Sequence, residues 1–160
     1  MKEFLVLDVD TATDIGPKDR SWDSVDQNWF FINSGVWFIY KGTIWDGATA
    51  VPDGREDPNK EGYPILWLAT LIHDLGYMFM HDPDFPYSRR EIDDMFRDLM
   101  EQAGFKFTVV YYLGVRWFGG VWDDIFNTYR RVFNKERQLP AHISEYGLEL
   151  SEDYNSEEVE

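Results

Sequence analysis

The chain contains no cysteine, which excludes a disulfide framework and is compatible with a reducing compartment. It also lacks any apolar run approaching about 18 residues, so nothing in it reads as a membrane-spanning helix. The start, MKEFLVLDVD, reaches Asp8 after a short apolar stretch with no small-residue cleavage site behind it. That pattern does not read as a secretory signal peptide. Basic side chains are scarce: Lys and Arg number 15 against 30 Asp and Glu, a net charge of -15. Such a surface repels nucleic-acid phosphates and anionic bilayers, so neither is an expected partner. The charge serves solubility, and it would also attract a basic partner or a metal ion.

Large rings are plentiful instead. Aromatics make up 18% of 160 residues and hydrophobic residues 44%, which a disordered chain does not carry. The length fits one domain with a sizeable core. We read residues 1–148 as that domain, with a β segment over 1–44 and a helical core over 45–133. Residues 149–160 hold six acidic side chains and no basic one, the pattern of a solvated tail.

Phe4 to Leu7 predicts a short strand, followed by loop. Two aromatic and β-branched runs in WFFINSGVWFIYKG flank Asn33-Ser34-Gly35, which suits a tight hairpin turn. The segment TIWDGATAVPDGREDPNKEGYP is rich in Gly, Pro, Asp and Asn and reads as loop. Beyond Pro64, ILWLATLIHDLGYMFM is apolar almost all round, which predicts a helix buried on most faces. Ser88-Arg89-Arg90-Glu91 has the form of a capping box. Ile92, Met95, Phe96, Leu99, Met100 and Ala103 then repeat at helical spacing until Gly104 stops the helix. A third helix is expected from near Phe107, broken or bent at Gly119-Gly120 before VWDDIFNTYRRVF continues. The expected fold is α+β, mainly α, with two or three packed helices and a small N-terminal β-hairpin. Tyr111, Tyr112 and Trp117 read as core.

Three features carry chemistry. His73 and Asp74 interrupt an apolar helix, and burying both is costly unless they are hydrogen-bonded or bind an ion. Asp93 lies on the next helix; if the two pack antiparallel, it can accept a hydrogen bond from the His73 imidazole. That would set the tautomer and leave the other ring nitrogen as a general base. Asp46-Gly47 precedes the first helix and could join Asp74 as oxygen ligands, a donor set suited to calcium. Each feature also has a plainer reading, as a structural hydrogen bond within a core or as a turn.

Taken together and in this order, these residues resemble the phospholipase A2 superfamily, most nearly its small secreted prokaryotic enzymes, over about 75 residues. His73-Asp74-Leu75-Gly76-Tyr77 is similar to the family's HD-x-x-Y helix, and Asp46 to its loop aspartate. Ile92-Asp93 with Phe96 and Met100 is similar to its second helix. Tyr112, Val115, Phe118 and Gly119 match its third. The resemblance implies His73 as base, Asp93 as its orienting partner and Tyr77 as support for the pair. It implies calcium held by Asp46, Asp74 and the carbonyl of Gly47, with a phospholipid or other lipid ester as substrate. The family's bridging cysteines are replaced by Ala48 and Thr70, so helix packing must do the work of that staple.

A second resemblance runs over more of the chain. Asp46 to Pro52, His73 to Tyr77 and Arg89 to Asp93 are similar to a small bacteriophage-encoded domain family of unknown function. It implies a phage or prophage product acting in the host cytoplasm or in the virion, alongside phage structural proteins. Two His-Asp dipeptides, His73-Asp74 and His81-Asp82, also suggest HD-type metal phosphohydrolases. Those need a further histidine upstream, and none precedes His73.

Overall fold

The computed structural model describes residues 5–23, 29–45, 47 and 54–121. Its strands form three small antiparallel sheets. The largest has the order β2-β5-β4-β3, where β2 is Thr11–Asp14, β3 Trp22–Asp23, β4 Phe30–Asn33 and β5 Val36–Ile39. β4 and β5 are the expected hairpin: Asn33 pairs with Val36 across a turn in which Ser34 has φ 48° and Gly35 φ 76°. Two consecutive left-handed residues give a turn whose twist matches that of the strands. Phe30, Ile32, Trp37 and Ile39 face inward and are almost wholly buried. Phe30 meets Phe79 of the first helix edge-on at 5.2 Å.

β1 (Leu5–Val6) pairs with β6 (Ile44–Trp45). β7 (Glu56–Asp57) pairs with β8 (Lys60–Pro64). The stretch read as loop up to Pro64 therefore carries β6, β7 and β8, and the stretch read as loop after Leu7 carries β2 and β3. Both strand sets are short and rich in turn residues, so local composition hides pairing that tertiary contacts supply.

α1 spans Trp67–Phe79, and every residue except Leu68 is buried. α2 spans Arg89–Gln102. Ser88 caps it with the full reciprocal capping box to Glu91, and Gly104 follows it at φ 68°. α2 buries only its Ile92, Asp93, Met95, Phe96, Leu99 and Met100 face. A third helix, α3, covers 108–121 as far as the chain is described. It is helical through Gly119 and Gly120 as far as Val121. The continuation from Trp122 and the acidic tail lie outside the described residues. Trp117 is not core: it is 74% exposed, on the outward face of α3. The fold is α+β, and no helix among the described residues is long and apolar enough to cross a membrane.

α1 and α2 pack closely at Gly76. A Cβ there would stand 2.7 Å from Cγ2 of Ile92, and that branched side chain is fully buried with no room to withdraw. Gly76→Ala is expected to lower stability by about 1–3 kcal/mol through overpacking. Urea midpoints of the variant and the parent chain check this.

Candidate functional site

His73 sits in the middle of α1, and its ring is sandwiched between Tyr77 at 4.3 Å and Phe96 at 4.6 Å. With His73 facing Phe96 and Tyr77 reaching Asp93, α1 and α2 run antiparallel, as the sequence reading required. Nε2 of His73 lies 3.3 Å from Oδ1 of Asp93. On the opposite edge of the ring, Nδ1 lies 3.8 Å from Oδ1 of Asp74. The imidazole therefore spans two carboxylates. His73 is 6% exposed, Asp74 4% and Asp93 0%.

Asp93 is the centre of the cluster. The Tyr77 hydroxyl donates to its Oδ1 at 2.8 Å, and Nη1 of Arg116 on α3 donates to its Oδ2 at 2.8 Å. Burial on its own would push the Asp93 carboxyl upward. The hydrogen bonds from His73, Arg116 and Tyr77 outweigh that and hold it below its ordinary value. An ionised Asp93 can only accept, so Nε2 of His73 carries a hydrogen and donates to it. For His73, burial is the strongest single influence and pulls its pKa down. The neighbouring Asp74 and Asp93 together overcome it and hold the imidazole above its ordinary value. Burial, then the charge of Asp93, raises the Tyr77 phenol far out of the physiological range, so it remains a donor.

The end of β6 is tied to α1. Trp45 ends β6 fully buried, and its indole N–H donates to the Thr70 hydroxyl at 3.1 Å. Thr70 is one of the two positions where the resembling secreted enzymes carry a bridging cysteine. Here a hydrogen bond ties the same stretch of α1 to the strand leading into Asp46-Gly47. Gly47 has φ 68°, and a Cβ on it would stand 3.0 Å from Leu5. Asp46 and Ala48 lie outside the described residues. Among the described residues no group of three or more His, Cys, Asp or Glu side chains could hold a metal ion. His81 lies just past α1 on the exposed surface, far from the buried setting of His73.

Arg116 was not anticipated, nor was the role of Gly119. Arg116 is the only charged residue of the 108–121 helix. A lone cation in so apolar a run needs a carboxylate opposite it, and that was the available signal. Arg89 joins the cluster: its Nη2 donates to the Arg116 carbonyl at 2.7 Å, and its Nε lies 3.9 Å from Oδ2 of Asp93. Gly119 allows α3 to come down on them, because a Cβ there would meet the Tyr77 hydroxyl at 2.6 Å and Nε of Arg89 at 3.0 Å. The glycine that composition marks as a helix breaker is a point of close approach.

No protein-family model, curated protein or solved structure matches the chain.

The depressed Asp93 pKa has a signed consequence. Its stabilisation is fully present above the ordinary unfolded carboxylate value of 3.8, and is lost as pH falls from there through the lower folded value. Asp93→Asn removes that acid limb while leaving Arg116 and His73 with a neutral partner. It is expected to cost about 2–4 kcal/mol at neutral pH and to flatten the fall in stability as pH drops below 3.8. Denaturation curves across that range, for both proteins, provide the measurement.

Proposed function

We propose that this chain is a phospholipase A2-like, calcium-dependent ester hydrolase of phage origin, with His73 as its general base. The observation supporting this reading is the His73 imidazole spanning Asp93 and Asp74, Nε2 toward the first and Nδ1 toward the second. A base of this kind needs its second nitrogen anchored, and Asp93 anchors it. Tyr77 and Arg116 hold Asp93 in turn, which makes both positioning residues for the ring.

In this reading Nδ1 of His73 takes a proton from water, the resulting hydroxide adds to the ester carbonyl, and the proton passes to the leaving alcohol. No covalent intermediate on the protein is needed. The donor set of Asp46, Asp74 and the Gly47 carbonyl is all oxygen, as calcium prefers. Calcium bound there would offset the negative charge that develops on the carbonyl oxygen. Asp74 stands on the Nδ1 edge of the ring, the side where water would be activated.

A second reading is a non-catalytic virion or assembly protein of phage that keeps the pair for stability. It is favoured by the depth of the cluster, since an Asp93 with no exposure and partners on two other helices would serve the fold without any reaction.

Calcium titration and a hydrolysis assay separate the two. For the hydrolase, calcium at ten times its Kd raises stability by about 1.4 kcal/mol, or roughly 3–6 °C in Tm for a chain of this size. Zwitterionic phospholipid micelles should be hydrolysed, and His73→Ala should lower the rate by about 10²–10⁴-fold while circular dichroism shows the helices retained. A Tm indifferent to calcium together with no hydrolysis selects the assembly protein. Hydrolysis undiminished in His73→Ala removes His73 as the base.

A further inference from the structure

The inward side of α3 is committed to the site, while its outward side is apolar and exposed among the described residues. Val109, Val110, Leu113, Trp117, Phe118 and Val121 are all exposed, from 39% for Leu113 to 74% for Trp117. Val109, Leu113, Trp117 and Val121 recur every fourth residue, so they form one stripe along the helix, flanked by Val110 and Phe118. Arg116 is the only charged side chain among the described residues of the helix, and it is turned the other way, onto Asp93. Gly114 and Gly120 interrupt the strip, and a Cβ at either would meet nothing within 4 Å.

We propose that this face binds a second copy of the same chain, two α3 helices packing antiparallel about a two-fold axis. Area is the first reason. At these exposures the six side chains present roughly 700 Å² of apolar surface, above the usual largest patch on a monomer of about 300–600 Å². Pairing two such faces buries up to about 1,400 Å², which reaches the standard range of about 1,200–2,000 Å² for a stable interface. Charge is the second reason. A strip with no ionised side chain among the described residues offers nothing to a basic or acidic partner, whereas a second copy of the chain meets it apolar face to apolar face. Shape is the third. An antiparallel pairing sets Leu113 against Trp117 and Val109 against Val121, a self-complementary match over a helix of about 21 Å. The glycines let the two backbones approach.

The contact is independent of whether His73 acts as a base. The full chain should sediment as a dimer at micromolar concentration, and added salt should tighten it by screening the like charges of the two copies. Trp117→Glu should weaken association at least tenfold with unchanged circular dichroism. Because the chain has no native cysteine, Gly114→Cys gives a single thiol on the face. A short bismaleimide should link two copies through it, and should not link Glu61→Cys, placed on exposed β8. A sedimenting monomer up to about 1 mM overturns the proposal, as does a dimer untouched by Trp117→Glu or equal cross-linking at both cysteines. A monomer in which the Gly114→Cys thiol resists alkylation would show that the chain covers the face itself, and overturns it equally.

Discussion

One buried carboxylate organises the helices. Asp93 has no solvent exposure, and an ionised carboxylate removed from water costs several kcal/mol unless its lone pairs are answered. They are answered from two other helices: His73 and Tyr77 of α1 at Oδ1, Arg116 of α3 at Oδ2. The three helices cannot shift independently without stranding that charge. Their close approaches follow the same demand, with Gly76 admitting Ile92 between α1 and α2 and Gly119 admitting the Tyr77 hydroxyl beneath α3.

The same arrangement divides the imidazole into two unlike sides. The Nε2 edge faces a carboxylate whose oxygens are already occupied by a phenol and a guanidinium, so it is fixed in place. The Nδ1 edge faces Asp74 at 3.8 Å. What distinguishes a hydrolase from a purely structural cluster is therefore decided on the Asp74 side of the ring. Asp93 behaves alike under both readings.

Much of this was legible from local chemistry. The Ser34-Gly35 turn, the Ser88–Glu91 capping box, the Gly104 stop and the all-round burial of α1 each follow from a few adjacent residues. His73 and Asp93 were legible as a pair because two buried ionisable groups on successive helices have few ways of being satisfied. The strands β2, β3, β7 and β8 were not, because pieces two to five residues long carry almost no periodic signal and exist through their partners. Arg116 was passed over for a similar reason. Its meaning lies in a contact across 23 positions of chain, and its neighbours look like ordinary core. Trp117 shows the complementary limit: hydrophobicity alone does not say which side of a helix finds a partner.

The Trp45–Thr70 hydrogen bond has a chemical consequence of its own. A sulfur–sulfur link at that junction would make the approach of β6 to α1 depend on the thiol–disulfide poise of the surroundings. An indole N–H resting on a hydroxyl has no electrons to exchange. The seam between sheet and helix is thereby indifferent to thiol–disulfide exchange, and this junction keeps one geometry across that range of poise.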